Sequence, residues 1–404
     1  MQRRHDIDAL RCLAFALLIL YHWCMLYVGG DDWDWHLKST HLGEWLQLPM
    51  LFVNRWRMDL IFLISGLSVN FLLRDIGMGH GGMRRGGVPR FVASRSWRLL
   101  LPLVFGCLLI VPIQPYAQGM ANGLVEPGFG RFLLRYFSHS QPWPAGAFDG
   151  WEHGFTWNHL WYLAYLWTYT IALTLLLPLL RCHAGQRVRG VLVGLRGWKL
   201  LVLPAIPLAL ATIALQPRFE DTGDLIHDWY RHAIYFTVFL YGYWIGTDRG
   251  LWEELVRLRR HSLAIMLGLF SIYIVLARIL PDEIPGSMQA LVWSLRNLYI
   301  WAALSAILGW AHLLLNRPLR WLPWANEALY PWYVLHQSLI VLCAYWLLPL
   351  RLNAWLEPSL VLAGTIAGCW ALHEFLIRRN AWLRPCFGLK AMHAPTPATR
   401  VAIA

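Results

Sequence analysis

The feature that most constrains this chain is a series of apolar runs, each about 20 residues long. A run of that length crosses the hydrocarbon core of a bilayer when it forms an α-helix. Only 14% of the 404 residues are charged and 57% are hydrophobic, which excludes an intrinsically disordered chain. The sequence therefore predicts an all-α, polytopic membrane protein with about ten transmembrane helices, at residues 9–28, 56–73, 99–115, 159–180, 199–215, 232–248, 262–280, 290–313, 329–349 and 355–377.

The distribution of Lys and Arg predicts how these helices are oriented. Of the 35 basic residues, 25 lie in the terminal segments and in alternate loops, namely 74–98, 181–199, 249–261 and 314–328. Cytoplasmic loops carry the excess of basic residues in membrane proteins, so both termini are expected in the cytoplasm. The net charge of +12 is then a topology signal, and we expect no nucleic-acid partner.

Domain organisation and cysteine placement are simple. We expect one transmembrane domain over 1–390 and a short, disordered cytoplasmic tail over 391–404. No predicted outer loop contains a cysteine, so no disulfides are expected. CxxC and HExxH spacings do not occur, and we expect no metal site and no permanently bound cofactor.

Arg11 and His22 are the most informative polar residues of the first span, because titratable groups are costly in lipid. They are eleven residues apart, which on a helix leaves them ~20° from eclipsed and ~16 Å apart along the axis. An elongated substrate fits this spacing, with its anionic end on Arg11 at the cytoplasmic mouth and its reactive end at His22. Taken alone, the two residues slightly favour a snorkelling arginine and a packed core histidine.

The second span contains Asp59 at a depth comparable with that of His22. A carboxylate there would orient and polarise the imidazole, as it does in other acid–base sites. A solvated residue at the start of a helix is the alternative. Ser65 and Gly66 in the same span indicate close helix packing through small residues rather than a nucleophile.

Arg95 and Arg98 precede the third span and lie on one side of a helix start. Paired guanidinium groups at a membrane mouth bind phosphate by their fork geometry, and ordinary positive-inside anchoring explains them equally well. The glycine-rich loop before them contains a GxGxxG pattern at residues 77–82. No strand precedes that pattern, so we reject a dinucleotide site.

Two late spans carry further titratable residues. Tyr333 and His336 lie one turn apart in the ninth span, and Glu374 lies near the cytoplasmic end of the tenth. These residues either line a substrate pathway or have structural roles. The structural roles are an interhelical hydrogen bond for His336 and a buried ion pair for Glu374.

The predicted outer side is aromatic and acidic. Its polar and aromatic residues are Asp31, Asp32, Trp33, Asp34, Trp35, His36, Trp143, Asp149, Trp151, Glu152, His153 and Trp157, followed by His159 and Trp161 at the start of the fourth span. Tryptophan rings stack on the apolar faces of sugars, while carboxylates and imidazoles bond hydroxyls, so the pattern favours a carbohydrate ligand. An interfacial tryptophan belt explains most of these residues as well.

Together these segments resemble the acyltransferase-3 family of integral membrane acyltransferases. Arg11 and His22 match the first-helix motif of that family, and Arg95 with Arg98 matches its arginine pair. The segment 59–66 is similar to the family's DxFFxxSG segment, and 330–337 to its late Tyr…His-Gln helix. Four short motifs in the same order make the likeness fairly specific.

Within the family, the segment His-Leu-Trp-Tyr-Leu at 159–163 is similar to that of the glucan-biosynthesis C-type branch, as is Glu374 followed by Arg378. That branch modifies periplasmic glucans, commonly with succinyl groups. The Ser-x-Glu-Glu-Gln-Phe segment of many O-acetylating members is absent from this sequence, and so is an attached esterase-like domain. The likeness therefore assigns the acceptor only weakly.

The resemblance implies a multi-pass protein of a bacterial inner membrane that transfers an acetyl or succinyl group from cytoplasmic acyl-CoA to a carbohydrate hydroxyl outside. His22 is then the catalytic base with Asp59 as its partner, and Arg11, Arg95 and Arg98 hold the phosphates of CoA. Tyr333, His336, His159, Trp161 and Glu374 are candidate pathway or acceptor residues. Direct transfer and an acyl-histidine intermediate both fit, and a transporter of a lipid-linked sugar or organic anion is the alternative function.

Overall fold

The computed structural model describes residues 4–74, 87–138, 142–149, 156–219, 221–281 and 284–390. Within these ranges the chain is helical and contains no strand, only a single bridge between Val28 and Gly43. The prediction of an all-α protein is confirmed. The GxGxxG segment, Trp151, Glu152, His153 and the tail 391–404 lie outside the described residues.

Fifteen α-helices are found in the described ranges, joined by short 3₁₀ turns and one π-helical turn at Leu372–Ile377. The α-helices are α1 (His5–Cys24), α2 (Gln47–Leu73), α3 (Gly87–Leu109), α4 (Ile113–Ala121), α5 (Phe129–Ser138), α6 (Trp161–Arg181), α7 (His183–Gly194), α8 (Trp198–Val202), α9 (Ala205–Leu215), α10 (Trp229–Ile245), α11 (Arg249–Ile279), α12 (Gly286–Leu315), α13 (Leu322–Leu347), α14 (Leu356–Ala371) and α15 (Leu383–Cys386).

Nine helical segments of the described chain are long and apolar enough to cross a membrane, and they coincide with nine of the ten predicted spans. The remaining predicted span, 232–248, is α10, whose 17 residues lie at the lower limit for a transmembrane helix. The third and fifth spans are interrupted where Pro112 and Pro204 provide the N-caps of α4 and α9. Proline has no backbone N–H to continue a helix, which accounts for both breaks. The chain is a multi-pass membrane protein.

The helices form two compact units. The first comprises the described residues of Met1–Leu18, Gln47–Arg95 and Ala164–Leu322. Its main packing pairs are α2 with α10 and α11 with α12, and α12 also packs against α9. Side-chain bonds to backbone carbonyls tie the short helix α8 and the α9 start into this unit, from Trp301 Nε1 to Leu200 (2.7 Å) and from Tyr241 Oη to Pro204 (3.0 Å).

Glycines set the close approach of α2 and α10. A Cβ placed on Gly66 would lie 2.0 Å from the carbonyl oxygen of Phe239, and one on Gly242 would lie 2.0 Å from that of Leu63. Neither backbone carbonyl can move away as a flexible side chain would. The predicted role of Gly66 in helix packing is therefore confirmed.

The second unit comprises the described residues of Ile19–Leu46, Ser96–Leu163 and Pro323–Ala404. Its apolar core joins the loop after α1, the helix α4 and the two late helices α13 and α14. The buried core residues are Leu26, Tyr27, Leu37, Ala117, Ile340, Val341, Ala344 and Val361. All seven cysteines of the protein are free thiols in this structure. This unit also contains most of the predicted site residues.

The Gly66 contact gives a prediction about stability. Gly66→Ala should destabilise the protein by about 1–3 kcal/mol, because the new methyl group overlaps the Phe239 carbonyl. The matched control is Gly268→Ala on α11, where a Cβ meets no atom within 4 Å. Thermal unfolding in detergent should show a lower midpoint for the Gly66 variant only. Equal midpoints for both variants would contradict the close packing of α2 on α10.

Candidate active site

His22 and His336 form the centre of the candidate site. His22 lies in the last two turns of α1 and is half-buried, whereas His336 lies in the middle of α13 and is fully buried. Their Nδ1 and Nε2 atoms, respectively, are 2.9 Å apart, and the two ring planes differ by only 2°. The two imidazoles are therefore joined by a direct hydrogen bond.

Backbone carbonyls determine which nitrogen of His336 carries the proton. The Nδ1 atom of His336 lies 2.7 Å from the carbonyl oxygen of Tyr333 and 3.2 Å from that of Trp332. A carbonyl only accepts, so this nitrogen must donate. In the neutral ring the Nε2 atom is then the acceptor, and it accepts from Nδ1–H of His22. The lone pair of the neutral His22 ring consequently lies on Nε2, where a base needs it.

Trp35 covers His22 within the same unit. The two ring centroids are 6.4 Å apart, with planes at 22°, and Trp35 is half-buried. Trp35 belongs to the segment 31–36, which the sequence assigns to the outer side. An aromatic ring therefore lies beside the imidazole, in the segment where a carbohydrate ligand was predicted.

His159 and Tyr333 pack beside His336, and the side chain of each donates a hydrogen bond to a backbone carbonyl. The Nε2–H of His159 donates to the carbonyl of Val334 (3.1 Å), and its ring meets that of His336 edge-on at 5.0 Å. Tyr333 Oη donates to the backbone carbonyl of His159 (2.5 Å). The structure therefore brings three of the predicted residues, His159, Tyr333 and His336, together around one point of α13.

Buried amides extend this polar cluster. Gln114 is fully buried; its Nε2 donates to Ser338 Oγ (2.8 Å) and, more weakly, to His159 Nδ1 (3.4 Å). Its Oε1 accepts from Asn158 Nδ2 (2.8 Å) and from Gln337 Nε2 (3.1 Å). Both ends of the Gln114 amide are satisfied, so the cluster is a fixed frame rather than a source of spare hydrogen bonds.

The frame ends at an acidic residue of the outer segment. Gln337 Nε2 donates to His36 Nε2 (3.2 Å), and Nδ1–H of His36 contacts Gln118 Oε1 (3.1 Å) and Asp149 Oδ2 (3.0 Å). Gln118 Nε2 in turn donates to Asp149 Oδ1 (2.9 Å). Two predicted outer residues, His36 and Asp149, are thereby connected to α13.

Hydrogen bonds lower the pKa of Asp149. Burial acts to raise the pKa of this carboxyl, but the hydrogen bond and charge of His36 and the hydrogen bond from Gln118 outweigh it. The net direction is below the ordinary value. The ionised form of Asp149 is thus the form that holds the segment against His36.

Asp59 lies in the first unit and is 4% exposed. The charges of Arg231 and Arg296 act on it, and its Oδ1 atom has no hydrogen-bond partner among the described residues. The alternative of a solvated residue at a helix start is therefore wrong, because the side chain is buried in the middle of α2. Its pairing with His22 stays a prediction.

The three predicted phosphate ligands have different surroundings. Arg11 donates to Asp8 Oδ1 (2.6 Å), one turn earlier on α1. Arg95 is half-buried on α3. Arg98, also half-buried, donates one bond to the carbonyl of Gly388 (3.4 Å), and the rest of its guanidinium donors are not used by the described protein. A common phosphate site for these arginines stays a prediction.

Trp161 and Glu374 complete the predicted set. Trp161 is the first residue of α6 and is half-buried. Glu374 lies on the π-helical turn and pairs with Arg378 (2.6 Å), which itself approaches Glu327 (3.4 Å). Glu374 therefore forms an ion pair, as its structural alternative predicted, but the pair is partly exposed rather than buried.

The amide frame was not predicted from the sequence. Gln114 and Gln118 lie four residues apart on α4, and Gln337 and Ser338 follow His336. Two amides on one face of an apolar helix are the sequence signal that indicates such a buried polar network. Among the described residues, no group of three or more His, Cys, Asp and Glu side chains is arranged to hold a metal ion.

A protein-family model matches nearly the whole chain. The model of the acyltransferase-3 family, described as an acyltransferase domain, matches residues 4–374. No curated protein and no solved structure matches the chain. The match includes His22, His336 and every other residue that the sequence analysis proposed for the site.

The lowered pKa of Asp149 gives a prediction about pH. The folded-state pKa lies below the ordinary value of about 3.9, so the carboxylate stabilises the fold above that pH and loses the effect as the pH falls. Asp149→Asn should therefore lower the free energy of unfolding at pH 7, by at most about 1 kcal/mol because the side chain is 44% exposed. Its unfolding temperature should be lower than that of wild type. The difference should shrink below about pH 4.

Thermal unfolding in detergent across this pH range measures the effect. Glu126→Gln is the control, since that side chain is 84% exposed. A gap between wild type and Asp149→Asn that widens in acid would contradict the pairing with His36.

Proposed function

Because the chain belongs to the acyltransferase-3 family of membrane O-acyltransferases, we propose that it transfers an acetyl or succinyl group from cytoplasmic acyl-CoA to a hydroxyl of an extracytoplasmic carbohydrate, such as a periplasmic glucan. A bacterial inner membrane is the location that gives access to both substrates. The observation that carries the proposal is the hydrogen bond of His22 to His336, with Trp35 stacked against the same ring.

His22 acts as the general base. A sugar hydroxyl is a weak nucleophile until a base removes its proton as it attacks. The proton passes to Nε2 of His22, and the hydroxyl oxygen forms a bond to the thioester carbonyl carbon. The carbon–sulfur bond then breaks, and the CoA thiolate takes the proton back from His22. The base is regenerated, and no oxidant or further reactant is required.

His336 supports this step as a positioning residue. When His22 accepts the proton, its ring becomes a cation that still donates from Nδ1 to Nε2 of His336. A buried acceptor stabilises that cation and holds the ring in place, as a carboxylate does in the serine hydrolase triad. The carbonyls of Tyr333 and Trp332 act as the third group of such a triad. They hold the proton of His336 on Nδ1, so that its Nε2 faces His22 as an acceptor.

Trp35 supports the proposed acceptor site. Its ring borders His22, so a sugar stacked on it would carry its hydroxyls to the edge of the imidazole. Tryptophan gives a large apolar contact with little loss of side-chain freedom. The network from Gln337 through His36 holds the residue next to Trp35 in place.

Arginines support the proposed donor site. Arg98 uses one N–H on Gly388 and has further donors for a phosphate oxygen. Arg11 and Arg95 lie, like Arg98, near helix ends predicted to face the cytoplasm. The diphosphate and 3′-phosphate of CoA would bind there, with the acyl thioester directed toward His22.

Release of free thiol from acyl-CoA tests the function. Membranes that contain the protein should release thiol only when a suitable carbohydrate is present outside, and mass spectrometry of that carbohydrate should show the mass of the acyl group. Movement of a carbohydrate across the membrane without thiol release would instead support the alternative of a transporter. If thiol is released but the carbohydrate shows no change in mass, that carbohydrate is not the acceptor.

The histidine pair gives a prediction about rate. His22→Ala should lower kcat about 10²–10⁴-fold, because the general base is lost. His336→Leu should lower kcat with little change in KM for acyl-CoA, since it removes the acceptor of the His22 proton. His336→Gln should retain more activity than His336→Leu, because its amide oxygen can accept that proton.

The control for the His22 and His336 variants is His227→Ala. His227 is an exposed histidine of the first unit that pairs with Asp224. Purified His22→Ala with the wild-type rate would exclude the general base. Equal loss in the Leu and Gln variants of His336 would exclude its role as an acceptor.

Trp35 gives a prediction about the acceptor. Trp35→Ala should raise KM for the carbohydrate about tenfold, the effect of losing roughly 1–2 kcal/mol of aromatic contact, and leave KM for acyl-CoA unchanged. Trp45→Ala is the control, since its side chain is 75% exposed in the same outer segment. Steady-state kinetics with each substrate varied in turn measures both constants. A change in KM for acyl-CoA alone would contradict an acceptor site at Trp35.

A further inference from the structure

Two arginines of the first unit form hydrogen bonds only with neutral groups in the part of the chain that the structure describes. Arg55 on α2 donates to the hydroxyl of Tyr273 (3.4 Å), and its buried Nε–H has no hydrogen-bond acceptor in the described chain. Arg296 on α12 donates to Gln216 Oε1 (2.5 Å) and to the hydroxyl of Tyr230 (3.0 Å). Within the described residues, neither guanidinium forms an ion pair with a carboxylate.

No described carboxylate contacts Arg55 or Arg296 to neutralise its positive charge. The positive charges of Arg55 and Arg231 both act on Arg296, and like charges in a medium of low dielectric repel strongly. Two described carboxylates of this unit are engaged in other ways: Asp221 pairs with Arg231, and Asp228 accepts from Tyr165 (2.7 Å). Asp59 acts on Arg296 at longer range, from its buried position on α2.

The position of the pair is at a predicted membrane surface. Arg55 and Arg296 each lie in the third turn of a helix whose start is predicted to face outside. Tyr273, which contacts Arg55, belongs to α11, and only 11% of the apolar part of that helix is buried in the protein. An aromatic cluster packs next to it, with Phe270 edge-on to Phe52 at 4.9 Å and stacked on Tyr299 at 5.9 Å with the planes at 28°. Tyrosines are enriched at the headgroup level of a bilayer, so Tyr273 and Tyr299 fit the predicted position of this pair.

We propose that Arg55 and Arg296 together bind the phosphate of an outer-leaflet phospholipid. Guanidinium groups bind phosphate oxygens through paired N–H donors, and two of them from different helices enclose one anion. A phosphodiester carries one negative charge and would supply the anionic partner that these two arginines do not have among the described residues. The site lies wholly within the first unit and does not depend on the identity of the acyl donor or acceptor.

Native mass spectrometry of the purified protein with phosphatidylglycerol tests the proposal. Wild type should bind one phosphatidylglycerol more tightly than the rest, and Arg55→Gln with Arg296→Gln should weaken that binding about tenfold or more. Arg278→Gln, an exposed arginine at the end of α11, should bind as wild type does. Diacylglycerol, which has the same tails without a phosphate, should not fill the site.

Inorganic phosphate separates a lipid from a free anion as the ligand. If phosphate alone raises the unfolding temperature of wild type as much as phosphatidylglycerol does, the lipid assignment is overturned. Should the double variant fail to fold, Arg296→Lys replaces it; that variant keeps the charge, loses the fork, and should still bind more weakly than wild type. Equal retention of phosphatidylglycerol by wild type and by the arginine variant that folds would overturn the site.

Discussion

The candidate site depends on the hydrogen bond by which buried His336 donates from Nδ1 to the carbonyls of Tyr333 and Trp332. A carbonyl cannot donate, so this one contact assigns the proton on His336, and through the His336–His22 bond it assigns the proton on His22 as well. The free-energy cost of a buried unpaired polar group enforces the assignment, at about 1–3 kcal/mol for either ring turned the wrong way. Chemistry at Nε2 of His22 follows from that arrangement.

The amides around the pair keep it in place. Gln337 donates to Gln114, whose amide is fully bonded, and the chain of bonds continues through His36 to Asp149. A network with satisfied donors and acceptors is rigid, and a rigid frame holds a catalytic group to within the small tolerance that reaction geometry requires. Polar residues are costly within a membrane, and the residues of this frame offset that cost by hydrogen-bonding to one another.

Hydrophobic length and charge bias predicted the helices and their order, because both are properties of segments rather than of pairs. The bond between His22 and His336 could not be predicted in this way, since 314 residues separate the two rings and only tertiary packing joins them. Asp59 shows the same limit: its depth was predicted, but its arginine neighbours come from α10 and α12. Gln114 and Gln118 were predictable from their spacing on α4, and their connection to α13 was not.

The position of the ring hydrogens on His22 and His336 tests the central claim most directly. Solid-state ¹⁵N NMR of the protein labelled at histidine, with the signals of the two residues assigned by single replacements, detects which ring nitrogen is bonded to hydrogen. We predict a hydrogen on Nδ1 of both rings and none on either Nε2 at neutral pH. A hydrogen on Nε2 of His22 in the resting protein would contradict its role as the base.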